Sequence, residues 1–520
     1  MSLAPVLING SWQEAQAIGS FHAENPTTKS ALDAGYPISA WADCEAALEA
    51  SAEAFQAMRS LSGNDIAGFL EECASQIEAG AGELVEMAHL ETALPKSPRL
   101  ADVELPRTTG QLRQAAAAAR SESWRQAVID SANQIRSCYS AIGPVAVFGP
   151  NNFPFAFGSA SGGDFAAAIA AGNPVIAKAN SSHPGTTRLF AECARAAMEK
   201  TGMPPGLVQL IYRTSHEVGA QLVSDPRIGA TGYTGSRHAG LVLKEAADQA
   251  GKPIYLELSS VNPVVFLPAL MHGQAEAMAT EFAGSCLAGT GQFCTNPGMV
   301  LLIAGGSAER FVAETVTRFA SAPVGTLLSK SVQTSLLHSH DILRQAGAEV
   351  LCGTGAGGGT GYSVANTLFR ISGARFLNDP VTMQTEAFGN TSLLVVAADL
   401  AEAAAVLSSL EGNLTGSLYS AADDADDAAY DQLEPILRSK VGRLLNNKMP
   451  TGVAVSPAMN HGGPFPATGH PGFTAVGIPA ALTRFAVLQC YDNVREDRLP
   501  EVLRDAYDGP AQRLVDGRWT

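Results

Sequence analysis

Cys294 stands in the stretch GQFCTNPG (291–298), between Gly291 and Gly298. Glycines on both sides let the backbone approach closely, so the thiol and a backbone N–H can face one point, as a nucleophile requires. The bland alternative is a small, inert buried filler. Glu257 lies inside the apolar run PIYLEL (253–258). A carboxylate there is either paired at a strand end or held with a raised pKa for proton transfer. Asn152, in GPNNFPF, is either a turn-former or an amide that donates a hydrogen bond. Lys178 ends PVIAKA (174–179), beyond whose C-terminal edge a parallel sheet binds ligands; otherwise it is a solvated lysine. In GYTGSRHAG (232–240), Gly235 and Ser236 fall where a strand turns into a helix. Free N–H groups and the Ser236 hydroxyl there could meet a phosphate, although strand-glycine-helix turns are common.

Two further patterns read as plain structure. GTGAGG (353–358) has the letters of a dinucleotide fingerprint, but no helix pattern follows to hold a pyrophosphate, so it is a loop. The pair in HSH (338–340) has no further ligands near it and reads as a polar loop; no metal is expected.

Elements must bring these residues together. Short apolar runs at 144–149, 174–179, 207–212, 228–235 and 253–258 alternate with helical stretches near 160–171, 185–201, 215–223 and 236–250. This alternation predicts βαβ units and a parallel sheet covered by helices. Residues 43–90 and 111–129 read as helices, and 134–148 as β. A second region starts near 260–263, with a helix over 273–290, a strand over 299–305, a helix near 307–320, and strands in AEVLCG and TSLLVVA. The Asp-rich piece 423–427 reads as a solvated helix face, and the tail from about 449 as ordered, irregular chain.

A chain of 520 residues needs two or three domains. Its 46% hydrophobic content, 7% aromatics and 51 glycines indicate an α/β protein. A formal charge of −16 argues against nucleic acid or an anionic membrane as partner. The first residues, MSLAPVLINGSWQEAQ, lack the basic start and apolar run of a signal peptide. Eight scattered cysteines without C-x-x-C fit reduced thiols, so a cytoplasmic protein is expected.

Asn152 in NNFPF, Lys178, GYTGS, Glu257 in LELSSVNP, FCTNPG and EAFGN (386–390) follow one another in an order and rough spacing that resembles the aldehyde dehydrogenase superfamily, over almost the entire chain. The resemblance implies a Rossmann-type cofactor domain, an α/β catalytic domain and a small β oligomerisation element. Their expected limits are 1–118 with 143–260, then 261–455, then 119–142 with 480–520, and 456–479 as a substrate-loop and return segment. It also implies that Cys294 is the nucleophile, Glu257 the general base and Asn152 the oxyanion amide. Lys178 matches the lysine at the adenosine ribose and Ser236, beside Gly235, the serine at the pyrophosphate. Glu386 matches the glutamate at the nicotinamide ribose, with Phe388 next to it.

Within the superfamily, GQFCTNPG, ELSSVNP and AMNHGGPFPAT (458–468) resemble the α-ketoglutaric semialdehyde (2,5-dioxovalerate) dehydrogenases and the NADP-dependent fatty aldehyde dehydrogenases grouped with them. Most members have two glycines where Ser259 and Ser260 stand. Ser181 occupies the place of the glutamate of NAD-preferring members, leaving room for a 2′-phosphate. His216 stands where NADP-favouring relatives carry arginine, a stronger phosphate partner. The expectation is NADP, with NAD as alternative, and no metal. EAFGN ends in Asn390 where many members have proline. Phe153, Phe155 and Phe293 are the candidates for a substrate tunnel, suited to an aliphatic chain as well as to a short diacid. The expected reaction is oxidation of 2,5-dioxovalerate to 2-oxoglutarate by a homo-dimer or homo-tetramer. The alternatives are a fatty aldehyde dehydrogenase, a coenzyme A-acylating enzyme, which Glu257 counts against, and a catalytically silent relative.

Overall fold

The computed structural model describes residues 3–520. Seven strands form the first sheet, in the order Ile254–Glu257, Ala230–Thr234, Val145–Phe148, Val175–Lys178, Val208–Ile211, Val6–Ile8 and Ser11–Gln13. The first five run parallel and the last two antiparallel. Val145–Phe148 and Val208–Ile211 are buried along their whole length, as expected of strands covered by helices on both faces. The register pairs Phe148 with Lys178, Lys178 with Ile211, and Thr234 with Glu257. Lys178, Glu257 and the residues following the neighbouring strands therefore share one C-terminal sheet edge.

The helices between these strands are Gly163–Ala170, Pro184–Thr201, His216–Ser224 and Arg237–Gln249. Four more precede them: Trp41–Met58, Gly63–Ala79, Ala81–Thr92 and Leu105–Ser121. The helix expected over 111–129 starts earlier and stops at Ser121, where Glu122 takes a left-handed φ of 49°. Ala127–Asp130 is instead a strand, with Ala127 and Ile129 buried and Val128 exposed, a period of two.

The second sheet has the order Glu349–Cys352, Thr367–Ser372, Thr391–Ala397, Met299–Ile303, Pro263–Phe266, Asn413–Tyr419, Val441–Asn446, parallel except for its first strand. Helix Pro268–Leu287 packs on it and begins five residues before the expected 273. Its start is held by Asp426, whose carboxylate accepts from the N–H groups of Ala269 and Leu270, 2.9 Å each. Asp426 is buried. The stretch 423–427 is thus no merely solvated face: one of its carboxylates satisfies a helix N-terminus.

A five-stranded sheet runs Ala486–Asp492, Ile135–Ala141, Ala127–Asp130, Arg513–Val515, Arg518–Trp519, and a two-stranded one joins Ala17–Asn25 to Ser30–Ser39. Between Asn446 and Ala480 the chain is irregular. Part of it still docks on the first sheet: Leu258 N donates to Ala467 O at 2.8 Å and Gly469 N to Leu256 O at 3.0 Å. Among the described residues no helix is long and apolar enough to cross a membrane.

Candidate active site

The loop carrying Cys294 is fixed from both sides. Gly291 has φ 68°, and a Cβ there would come 2.0 Å from the Gly389 carbonyl oxygen, so no other residue fits. On the other side, Asn262 Nδ2 donates to the carbonyls of Cys294 and Asn296, 2.9 Å each. Asn413 Oδ1 in turn accepts from Val261 N at 2.9 Å and Asn262 N at 3.1 Å. The Ser260 hydroxyl joins this network, donating to Asn262 Oδ1 at 2.8 Å. Ser260 thus ties the segment after Glu257 to the cysteine loop through a side chain that glycine lacks.

Asn152 is buried, and its Nδ2 donates to the Gln292 carbonyl at 3.1 Å, two residues before Cys294. Its loop is held by the buried Glu104, whose Oε1 accepts from Phe155 N at 2.9 Å and Ala156 N at 3.0 Å. Arg99 pairs with Glu104 and donates to Asn152 O at 3.0 Å.

His461, in the irregular segment, completes the cluster. Its Nε2 lies 2.9 Å from Glu257 Oε1 and 3.4 Å from Cys294 Sγ. Glu257 and His461 are both buried, and Glu257 Oε2 has no hydrogen-bond partner. One ring nitrogen facing two partners carries at most one proton, so it can share that proton with the sulfur or the carboxylate but not with both at once. Burial, and then the Glu257 charge, push the Cys294 thiol well above its ordinary range; Arg107 pulls the other way. The resting group is therefore S–H and needs a base before it can attack. The three donor atoms lie within 4.8 Å of one another, and their types could also hold a metal ion. Sequence reading singled out the motif containing His461 without assigning the residue, because it is 167 positions from Cys294 and sits in no regular element.

The residues matched to cofactor binding fall into two groups. At the sheet edge, Lys178 Nζ lies 5.9 Å from the centroid of the Phe148 ring. Burial, then Arg213, lowers its ammonium to about 8. Ser181 lies in the turn after this strand and is half-buried. Ser236 caps helix Arg237–Gln249, accepting from Ala239 N at 3.4 Å. A Cβ on Gly235 would lie 2.7 Å from the Tyr233 hydroxyl. His216 is exposed and opens helix His216–Ser224, whereas Arg213 comes sooner, two residues past Ile211, the partner of Lys178.

The second group borders Cys294. Glu386, Ala387 and Phe388 line a small cleft together with Ser260, Gly291, Phe293 and Asn296. Burial raises the Glu386 carboxyl to about 7, against the Ser259 hydroxyl and the Ser260 N–H, which lower it. Asn390 is explained by its surroundings: its Nδ2 donates to Val364 O at 2.9 Å and Asn366 Oδ1 at 2.7 Å, tying the EAFGN loop to the end of the glycine-rich stretch.

Of the three tunnel candidates, Phe153 and Phe293 meet at 5.6 Å between centroids. Phe155 does not join them: it is fully buried and packs on Phe190 at 5.2 Å. Phe157 takes its place, 5.3 Å from Phe153 and 5.6 Å from the His461 ring. NNFPF folds as turns, so no strand alternation sorted its rings between site and core. The HSH pair is not a polar loop: it lies in helix Lys330–Gln345, where His340 is buried with Nε2 2.8 Å from the Thr391 hydroxyl of the second sheet.

The C-terminal edge of a parallel sheet and, beside it, a half-buried cysteine facing a buried histidine–glutamate pair fit the class of dehydrogenases that work through a cysteine. Residues 12–467 match the model of the aldehyde dehydrogenase family, and the chain belongs to that family, whose members oxidise aldehydes with NAD(P). Among its relatives, alpha-ketoglutaric semialdehyde dehydrogenase 2 of Azospirillum brasilense is 40% identical, the match covering 100% of both chains. The alpha-ketoglutaric semialdehyde dehydrogenase of Acinetobacter baylyi is 36% identical over 91% of each. The crystal structure of 1-pyrroline-5-carboxylate dehydrogenase from Thermus with bound NAD shares the fold, with TM-score 0.80 and 23% identity over 94% of this chain and 92% of that one.

Proposed function

We propose that this enzyme oxidises α-ketoglutaric semialdehyde to 2-oxoglutarate, with Cys294 as nucleophile, Glu257 as general base and Asn152 as oxyanion donor. The line Sγ–Nε2–Oε1 through Cys294, His461 and Glu257 carries this reading. His461 Nε2 takes the thiol proton, and the sulfur bonds to the aldehyde carbon. The second N–H of the Asn152 amide, with the Cys294 N–H, meets the oxygen that becomes negative. NAD(P)+, when bound, supplies the hydride acceptor. Lys178 and Ser236 hold its adenosine end, and Glu386 and Phe388 its nicotinamide end. Glu257 then removes a proton from water, the hydroxide adds to the thioester carbon, and the C–S bond breaks to release the acid. Retention of this buried base argues against transfer to coenzyme A.

The substrate is argued from the two relatives that match at 40% and 36% identity, both α-ketoglutaric semialdehyde dehydrogenases. The aromatic wall of Phe153, Phe157 and Phe293 favours an aliphatic aldehyde as the second reading. NADP is favoured over NAD: Ser181 carries no charge to repel a 2′-phosphate, and Arg213, exposed and in no ion pair among the described residues, adds charge beside Lys178. Homo-oligomerisation through the five-stranded sheet, and a cytoplasmic location suited to eight free cysteines, complete the proposal.

The deciding measurement is kcat/KM for α-ketoglutaric semialdehyde, succinic semialdehyde and hexanal with NADP or NAD, with and without coenzyme A. The expected result is NADPH formation without coenzyme A, the five-carbon semialdehyde being preferred, and a Cys294→Ala variant at least roughly 10⁴-fold slower. Preference for hexanal by an order of magnitude would remove the semialdehyde reading, and no turnover of any aldehyde would remove the proposal.

A further inference from the structure

Arg107 is the third residue of helix Leu105–Ser121 and lies against the aromatic wall. Its guanidinium carbon is 5.2 Å from the centroid of Phe157 and 6.0 Å from that of Phe153. Phe157 in turn lies 5.6 Å from the His461 ring, so the guanidinium and the cluster that holds Cys294 share one aromatic neighbour. Arg107 Nη1 donates to the Val453 carbonyl, which anchors the side chain across the site. Nε and Nη2 are buried and have no hydrogen-bond partner. These two nitrogens form the side-on edge of a guanidinium, the fork that grips a carboxylate with two parallel hydrogen bonds. Among the described residues no other arginine leaves this edge both buried and unpartnered.

The other two arginines near the site are engaged. Arg99 gives one Nη to Glu104 and the other to Asn152 O. Arg443 gives both Nη groups to the carbonyls of Pro450 and Gly452. Two charged donors without a protein partner in a buried place call for a ligand or a water molecule to meet them. Arg107 is one of the groups that pull the Cys294 thiol downward, which places the guanidinium within electrostatic reach of the reacting sulfur.

We propose that Arg107 receives the remote carboxylate of the substrate through its Nε–Nη2 edge, and so selects short aldehydes that end in an acid group. This rests on the semialdehyde reading above. In α-ketoglutaric semialdehyde three carbons separate the aldehyde carbon from the carboxylate. The aromatic wall flanks those carbons, while the guanidinium replaces the water lost by the carboxylate.

The experiment compares wild type, Arg107→Met and Arg107→Lys by kcat/KM for α-ketoglutaric semialdehyde and for hexanal. For Arg107→Met, the ratio of semialdehyde to hexanal should fall by roughly 10²-fold, chiefly through KM for the semialdehyde. Arg107→Lys, which keeps the charge without the fork, should recover part of it. Should the methionine variant fail to fold, the lysine variant alone decides, with an expected ratio change of about tenfold. An equal loss on both aldehydes would overturn the proposal and assign Arg107 to thiol activation; a shifted pH profile of Cys294 alkylation would identify that role. An unmoved ratio would overturn it as well. If the wild type prefers the semialdehyde and the ratio does not move, only the anchor fails. If the wild type prefers hexanal by an order of magnitude, the substrate reading fails first.

Discussion

Burial around Glu386 pushes its carboxyl up to about 7, and burial around Lys178 brings its ammonium down to about 8. The two were matched to opposite ends of one cofactor, and each binds in its charged form. A ribose hydroxyl donates more strongly to Glu386 when the carboxylate is ionised, an advantage lost as pH falls through about 7. Lys178 attracts its end of the cofactor only while protonated, which is lost as pH rises through about 8. Affinity for NADP should therefore peak between these values and fall on both sides. Titration by protein fluorescence should give a Kd roughly tenfold weaker at pH 6 than at the peak. Glu386→Gln should flatten the acid limb and leave the alkaline one. Equal affinity at pH 6 and at the peak would refute the role given to Glu386.

At the scale of elements, the cysteine loop depends less on its own residues than on two asparagines from elsewhere. Asn262 has a left-handed φ of 47° and holds two carbonyls of the loop, while Asn413 holds the N–H of Asn262. Replacing Asn262 by Ala removes two buried hydrogen bonds and should destabilise the protein by about 2–3 kcal/mol. It should also lower kcat by about tenfold with little change in the Kd for NADP. Denaturant unfolding and steady-state kinetics check the two effects separately. The first sheet and its helices were legible, because apolar periodicity and glycine punctuation are local signals, whereas Cys294, Glu257 and Asn152 kept structural alternatives until the family resemblance singled them out. His461 and Arg107 were not legible, since their meaning lies in contacts across 204 and 346 positions, to Glu257 and Val453. Phe155 misled for a related reason: in a stretch of turns, neighbouring rings can face opposite ways. Asp426 read as solvent-facing because four of the five residues at 423–427 are acidic, and only packing against Ala269 and Leu270 distinguishes one of them.

For the whole molecule, strand Ala486–Asp492 ends the five-stranded sheet with a free edge, and it exposes Val487 and Leu488, the latter at 58%. Exposed apolar edges invite pairing with another copy. Leu488→Asp is expected to shift the particle mass by light scattering from a dimer or larger toward the monomer. A monomeric wild type would dispose of the assembly proposed for this sheet. The contact between Gly291 and Gly389 has a different reach. There the backbone that presents the thiol and the backbone that carries the Glu386–Phe388 wall touch without any side chain between them. The contact between these two loops is thus set by main chain alone. Exchange of Phe157 or Arg107 should therefore leave this backbone contact in place even where it alters the range of aldehydes accepted.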